Sequence, residues 1–434
     1  MNREQVDHFI YASYLQVADE LDYDAPDSVK RNPELTRDLL VSLNHTPSVG
    51  ITGSKGKGSV ACMLSSILQA EEKVGLLTSP HILSFNERFK VNGISISDDD
   101  LARIASFVAS KLEPVSAMIS GKSYISPIGI QAAIGLTWFQ ECKTTFNVFE
   151  YGKGVRYDDI NNIPHTFAVI NSIFLEHTRE LGGTLEAIAE DKSYAINPYS
   201  SACFVAEQPD AVKKVLSRRG AACKVPLLWY GQDFYAEAIR YTRSGMAFTV
   251  SVSGKKIRDI HIPLLGVHQA KNCALALAVA DAVMDDLDED CVRERLKSLY
   301  WPGRMEILSS SPLIILDACI NRSSAVLSLD VLDHLRIDKC VWIIGIPDDK
   351  DYEGVALTVQ SRSVRTILTR SQNVHYHFTN RQAEVLLRSG IETIGTSSVS
   401  EALDTAMTYG EVVFILGTTS VVAEAEQLRR LRSL

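Results

Sequence analysis

Residues 50–59 read Gly-Ile-Thr-Gly-Ser-Lys-Gly-Lys-Gly-Ser, after a short apolar run and before a helical pattern. Gly53, Gly56 and Gly58 let the backbone turn tightly and bring N–H groups, including those of Ser54, Lys55 and Ser59, close to an oxyanion. Lys57 supplies a point charge, and a helix starting near Ser59 aims its positive end at the same place. The chemistry predicted here is binding of nucleotide phosphates. The loop departs from the strict nucleotide-loop pattern, because Lys57 is followed by Gly58 rather than Ser or Thr. The plain alternative is an ordinary strand-to-helix turn. A second feature points the same way. Glu150 ends the apolar run Phe146–Tyr151, where a nucleotide enzyme needs a magnesium ligand; otherwise it is a solvated strand end.

Further motifs follow in order. Thr78-Ser79-Pro80-His81 precedes Asn86-Glu87-Arg88 and Asn92-Gly93. Glu150 opens Glu-Tyr-Gly-Lys-Gly-Val-Arg-Tyr-Asp-Asp-Ile-Asn, ending at Asn161. Glu176-His177-Thr178 closes the apolar run 168–175, and Asp191-Lys192 comes next. Leu265-Gly266-Val267-His268-Gln269 leads to Asn272. Gly303-Arg304, Asp317-Ala318-Cys319-Ile320-Asn321, Asp349-Lys350-Asp351 and Gly417-Thr418-Thr419-Ser420 complete the series.

Taken in this order, the motifs resemble those of the Mur ligase superfamily, and most of all folylpolyglutamate synthase and dihydrofolate synthase, from about residue 35 to about residue 425. The resemblance implies ATP as substrate, held by residues 53–59, Asn272 at the adenine, Arg304 at the phosphates, and Asp317. It implies two Mg2+ ions, with Ser79, Glu150 and His177 as ligands. It implies carbamylation of Lys192, whose new anion would bridge to magnesium. Lys57, Lys192, His177 and Arg304 are the implied catalytic set, with Arg304 arriving as the second domain closes. The activity implied is an ATP-dependent ligase: a carboxylate forms an acyl phosphate, and an amine, here glutamate added to a folate-like acid, displaces phosphate to give an amide.

The chain departs from the family pattern at several positions. Ile320 stands where the family has a histidine, and an aliphatic side chain forms no hydrogen bond. Lys153 adds a charge and Val155 replaces a glycine. Ser193-Tyr194 and Ile130-Gln131 differ too. These departures support a second reading, the same amide chemistry on another acid and amine. A third is a nucleotide-binding subunit without catalysis. A dinucleotide dehydrogenase is disfavoured, because the chain has no Gly-x-Gly-x-x-Gly loop with an acidic residue ending the following strand.

Elements alternating between β-rich and helical runs must position these residues, so the fold class is α/β. The expected architecture is a P-loop-type ATPase domain with a mostly parallel sheet, residues 1–300, and a smaller C-terminal Rossmann-like domain, residues 301–434. Strands are predicted at 47–52, 74–78, 146–151 and 166–173, and helices at 59–70, 98–112 with Ser97 as N-cap, 128–139 and 272–283. An antiparallel sheet is predicted between 230 and 262. Trp301-Pro302-Gly303-Arg304 reads as a linker, followed by strands at 313–316, 341–344, 366–369 and 412–416.

Composition bounds the partners. The 434 residues are 46% hydrophobic and 22% charged, with net charge −9, which disfavours nucleic acid. No apolar run is long enough for a bilayer, and residues 1–20 lack the pattern of a secretory signal. Eight cysteines without a Cys-x-x-Cys pair read as reduced core residues. A cytoplasmic enzyme, monomeric and acting on small molecules, is expected.

Overall fold

The computed structural model describes residues 1–22 and 25–432, and the side chains of 1–22 and 25–431. The chain divides into two compact units. The first comprises residues 1–236, 250–257 and 271–295; the second comprises 237–249, 258–270 and 296–434.

The first unit is built on an eight-stranded sheet. Its strands are β1 Ser48–Thr52, β2 Val74–Leu77, β3 Phe89–Val91, β4 Ile94–Ser95, β5 Phe146–Glu150, β6 Phe167–Ile170, β7 Ala202–Val205 and β8 Leu227–Trp229, in the order β4-β3-β2-β5-β1-β6-β7-β8. Pairing is parallel from β2 to β8, while β3 and β4 add antiparallel strands at one edge. β1, β2 and β5 are buried at every position, as expected of parallel strands covered on both faces; their polar residues Ser48, Thr52, Asn147 and Glu150 are buried too. The helix Pro127–Glu141 is buried continuously from Gly129 to Phe139 and packs in the core with Phe89, Phe149 and Ile104. A helix apolar all round belongs inside.

The strands β9 Phe234–Thr242, β10 Gly245–Val252 and β11 Lys255–Ile262 form a three-stranded sheet. Two-residue connections join them, as only antiparallel neighbours allow. The second unit has a six-stranded sheet of β12 Arg304–Ser310, β13 Leu313–Asp317, β14 Cys340–Gly345, β15 Ser363–Leu368, β16 Thr393–Gly395 and β17 Val412–Gly417. Their order is β12-β13-β17-β14-β15-β16, parallel apart from β12.

The structure differs from the sequence expectations at several points. The compact units do not divide at residue 300. Tyr241 stacks on His334 with centroids 4.4 Å apart, and Leu265 N–H donates to Met305 O at 2.9 Å. Both contacts tie parts of 237–270 to the second unit. The linker-like stretch is folded: Arg304 opens β12 opposite Asp317, and Met305 N–H donates to the Asp317 carboxylate at 3.0 Å. The Pro-Gly pair conceals a strand that begins one residue later. The helix predicted to end at Leu112 runs Asp98–Met118 through Pro114. The carbonyl that loses its partner to Pro114 belongs to Ser110, which is exposed to solvent. The helix predicted from Asn272 begins at Val267, because polar His268 and Gln269 hide its first turn. Strands β3, β4, β7, β8 and β16 are short and were not legible. Among the described residues no helix is long and apolar enough to cross a membrane.

Candidate active site

The C-terminal ends of four adjacent strands, β2, β5, β1 and β6, deliver Ser79, Glu150, Gly53 and Asn171 to one edge of the sheet, where α/β proteins bind ligands. The loop after β1 needs its glycines. Gly53 and Gly56 have φ +143° and +76°. A Cβ at Gly53 would strike Asn171, and one at Gly56 would strike the amides of Asn171 and Asn272. The helix after the loop spans Lys57–Leu68, two residues earlier than predicted, with left-handed Gly56 as N-cap and no capping side chain. Its first N–H groups therefore stay available to an anion.

Two ammonium groups converge on this loop. Lys57 Nζ donates to Gly53 O at 3.1 Å. Lys192, fully buried on the helix Leu185–Ser193, donates to the same carbonyl at 3.2 Å and to Lys153 O at 2.6 Å. Glu176 lies 3.2 Å from its Nζ as an ion pair. Burial first, and Lys57 second, pull the Lys192 pKa down to about 8. Two cations sharing one carbonyl are under-neutralised, so the loop fits the phosphates of a nucleotide.

Ser54 and Lys55 serve the loop itself. The Ser54 hydroxyl accepts from Phe174 N–H at 3.1 Å, and Lys55 lies 5.5 Å from the centre of the Phe174 ring. Ser59 is buried in the first helical turn. Asn272 Oδ1 accepts from Asn171 Nδ2 at 2.8 Å, which fixes the Asn272 amide beside the loop.

Glu150 is buried and accepts from Ser79 N–H at 3.0 Å. His177 lies on the loop after β6, at φ +46°; its Nε2 is 4.0 Å from Glu176. Burial lowers its pKa, leaving a neutral ring whose nitrogen can coordinate. Among the described residues no group of three or more His, Cys, Asp or Glu side chains is gathered for a metal. Glu150 is a buried carboxylate of the kind Mg2+ takes one or two of, with phosphate oxygens and water completing its shell. In the second unit Asp317 faces Arg304 across β12 and β13, and partly exposed Ile320 precedes Asn321, the N-cap of the helix Arg322–His334.

Beside Ser79 and Gly152 opens a cavity of about 370 Å³, lined by Tyr11, Tyr14, Tyr124, Arg31 and Arg88 among others. The sequence did not mark it out, because its walls come from segments far apart in the chain. Asn171 was also missed; a polar residue just past the apolar run of β6 was the available signal. Val155, in place of a family glycine, is buried, and its N–H donates to Asp191 at 2.7 Å.

A glycine loop, a helix N-terminus, converging lysines and a strand-end carboxylate make a site of an α/β protein that suits anionic phosphates. Known proteins share the sequence and the fold. The Mur ligase middle domain matches residues 51–280. A folylpolyglutamate synthase of Lacticaseibacillus casei is 30% identical over 316 residues, 71% of this chain and 73% of that protein. A probable bifunctional folylpolyglutamate synthase/dihydropteroate synthase of Halobacterium salinarum is 29% identical over 414 residues, 91% of this chain and 49% of that protein. The chain thus spans about half the length of that relative and of a second haloarchaeal one. Folylpolyglutamate synthase of Mycobacterium tuberculosis, solved with ADP and AMPPCP, superposes with a TM-score of 0.80 at 26% identity, covering 97% of this chain and 98% of that one. The chain belongs to the Mur ligase superfamily, in its folylpolyglutamate synthase and dihydrofolate synthase branch.

Proposed function

We propose that this protein is an ATP-dependent amide ligase that adds glutamate to a folate-like carboxylic acid. The observation that carries this reading is the convergence of Lys57 and Lys192 on Gly53 O beside a glycine-shaped loop and buried Glu150. The family membership supports it, as does the nucleotide in the mycobacterial relative.

The backbone N–H groups of residues 53–59 hold the ATP phosphates, and Lys57 leaves Gly53 O to reach the β and γ oxygens. Asn272 borders the nucleotide. Arg304 and Asp317 keep the nucleotide roles that their motifs suggest. Ser79, Glu150 and His177 would hold magnesium, two ions in all, which supplies charge neutralisation on the phosphate oxygens. The acid lies in the cavity beside Ser79, and its carboxylate attacks the γ-phosphorus, releasing ADP and forming an acyl phosphate. The amine of glutamate then attacks the acyl carbon, phosphate departs, and an amide remains. Positioning and charge neutralisation supply most of the catalysis.

Lys192 is the residue assigned to carbamylation. Carbon dioxide adds only to a neutral amine, and a pKa of about 8 leaves more of that form at neutral pH than an ordinary lysine has. The carbamate would lie near Glu176, so its oxygens need cations, and Lys57 is at hand. The protein acts as a cytoplasmic monomer in this reading. A second reading, another acid or amine with the same chemistry, draws on Ile320 and on Lys153, which lines the cavity. Hydroxylamine added to protein, ATP, magnesium and folate tests the first half-reaction. A hydroxamate of the acid is expected; ADP release without a hydroxamate would count against the acyl phosphate.

A further inference from the structure

Two buried carboxylates meet in the second unit, Glu306 on β12 and Glu426 on the helix Thr419–Arg432. Glu426 Oε2 accepts from the Tyr300 hydroxyl at 2.7 Å and from Arg429 Nη2 and Nε at 3.0 and 3.2 Å, as an ionised carboxylate does. Its other oxygen, Oε1, is buried, and among the described residues no N–H or O–H donates to it. The Glu306 carboxyl lies within hydrogen-bond reach of Glu426. Two carboxylates can bond only if one keeps a proton, and like charges this close and this buried do not both ionise. Burial first, and the Glu426 charge second, raise the Glu306 pKa to about 8, so Glu306 is the partner that keeps it.

The other neighbours leave this assignment in place. Arg429 acts on Glu306 through space. Tyr300, its pKa pushed up to about 12 by burial and then by Glu426, stays a donor, and Arg430 bonds to it in turn. On β13 Asp317 accepts from Met305 N–H at 3.0 Å, and Leu264, which bridges to Glu306, carries no charge.

Glu306 Oε2 also accepts from Gly303 N–H at 2.9 Å. Arg304 lies between these two residues, on a bulge of β12. Pairing with β13 slips between Arg304 and Glu306, and buried Met305 has φ +54°. A bulge re-aims a side chain, and a left-handed backbone at a residue other than glycine persists only where its surroundings hold it. Here two carboxylates do so, Asp317 through Met305 N–H and Glu306 through Gly303 N–H.

We propose that Glu306 and Glu426 share one proton, and that this acid pair positions Arg304 by pinning Gly303 to the helix Thr419–Arg432. This deepens the ligase reading and rests on the nucleotide role of Arg304 within it. When the shared proton leaves, two facing charges part, the Gly303 turn loosens, and the backbone that aims Arg304 at the phosphates is lost.

Glu306→Gln makes the test, because an amide keeps a donor for Glu426 and an acceptor for Gly303 N–H but has no proton to lose. Glu306→Ala removes both bonds. Thermal melting and binding of a non-hydrolysable ATP analogue with magnesium are measured on the full chain between about pH 4 and pH 9, with each substitution alone and combined with Arg304→Ala. A carboxyl that stays protonated only in the folded state lowers stability as pH rises from about 4 to about 8. The wild-type melting temperature should therefore fall relative to that of Glu306→Gln across that range and level off above it. Analogue affinity of wild type should weaken by about tenfold above pH 8, a loss that Glu306→Gln is spared; Lys192 titrates in both proteins, so their difference isolates Glu306. Glu306→Ala should lose about tenfold already at neutral pH, and neither substitution should add to the loss caused by Arg304→Ala. If Glu306→Ala does not fold, Glu306→Gln against wild type carries the comparison. Melting profiles of wild type and Glu306→Gln that run parallel overturn the shared proton. Affinity losses that persist unchanged beside Arg304→Ala, or a Glu306→Gln that weakens as wild type does above pH 8, overturn the positioning role. Analogue bound as expected by a protein that forms no amide counts against the ligase reading alone.

Discussion

The glycine loop and the cavity beside Ser79 open at the same edge of the first sheet, but different parts of the chain make them. The loop is ten consecutive residues, and its function is carried by backbone: glycines at φ +143° and +76° and the first amides of one helix. The cavity gathers side chains from residue 11 to residue 158, where the N-terminal helices pack on the helices Asp98–Met118 and Pro127–Glu141. A backbone site is written locally, since only a few residue types tolerate its torsions. A side-chain site is written nowhere in particular.

The comparison predicts a graded set of losses. Lys57→Ala removes the charge that the proposed mechanism places at the phosphates. Turnover should fall by about 10²- to 10³-fold or more, with an unchanged melting temperature, as steady-state assay and calorimetry will show. Unimpaired turnover would remove the loop from the chemistry.

Gly56→Ala tests the backbone directly. Its Cβ would meet Asn171 and Asn272, and left-handed torsion strains any other residue by about 1–3 kcal/mol. ATP affinity should drop and melting shift downward together, followed by titration calorimetry and thermal denaturation. If both stay at wild-type values, the loop is not held by the Asn171–Asn272 pair.

Arg31→Ala is the counterpart in the cavity. It strips the counter-charge from fully buried Asp158, and breaking a buried pair costs about 3–5 kcal/mol; the 3.8 Å separation argues for the lower end. The KM for the acid should rise while ATP affinity holds. An equal loss of both would mean that cavity and loop are one site rather than two.

Lys192 gives the mildest effect and a defined sign. With a pKa pulled down to about 8, the ammonium form grows as pH falls below 8, and at pH 7 about a tenth of the amine is neutral. Activity at constant ATP should therefore decline toward pH 6.5 and recover partly with added bicarbonate, with a carbamate carbon visible by NMR after labelled bicarbonate is supplied. A profile indifferent to bicarbonate would exclude the modification.

These differences also explain what the sequence discloses. The strands β1, β2, β5 and β6 are legible because burial on both faces keeps their runs largely apolar, and the loop because Gly53 and Gly56 have no substitutes. Glu150 could be placed because it ends such a strand, whereas Ser79 was located only through the resemblance of its motif. Arg304 was misassigned to a linker because Pro302 and Gly303 mask the strand that it opens. Arg88 and Asn171 gain meaning only through partners 43 and 101 positions away, and no periodicity marks such distances. Lys192 was located by motif alone; its complete burial and its bond to Gly53 O belong to the fold.

The most direct test of the account is a mass measurement. Purified protein is incubated with ATP, magnesium, L-glutamate and folate, beside Lys57→Ala as control. The account predicts a folate heavier by one glutamyl residue, one ADP and one phosphate for each amide formed, and no product from the variant. ATP bound but no glutamylated folate would contradict the folate assignment, and product from Lys57→Ala at the wild-type rate would contradict the site.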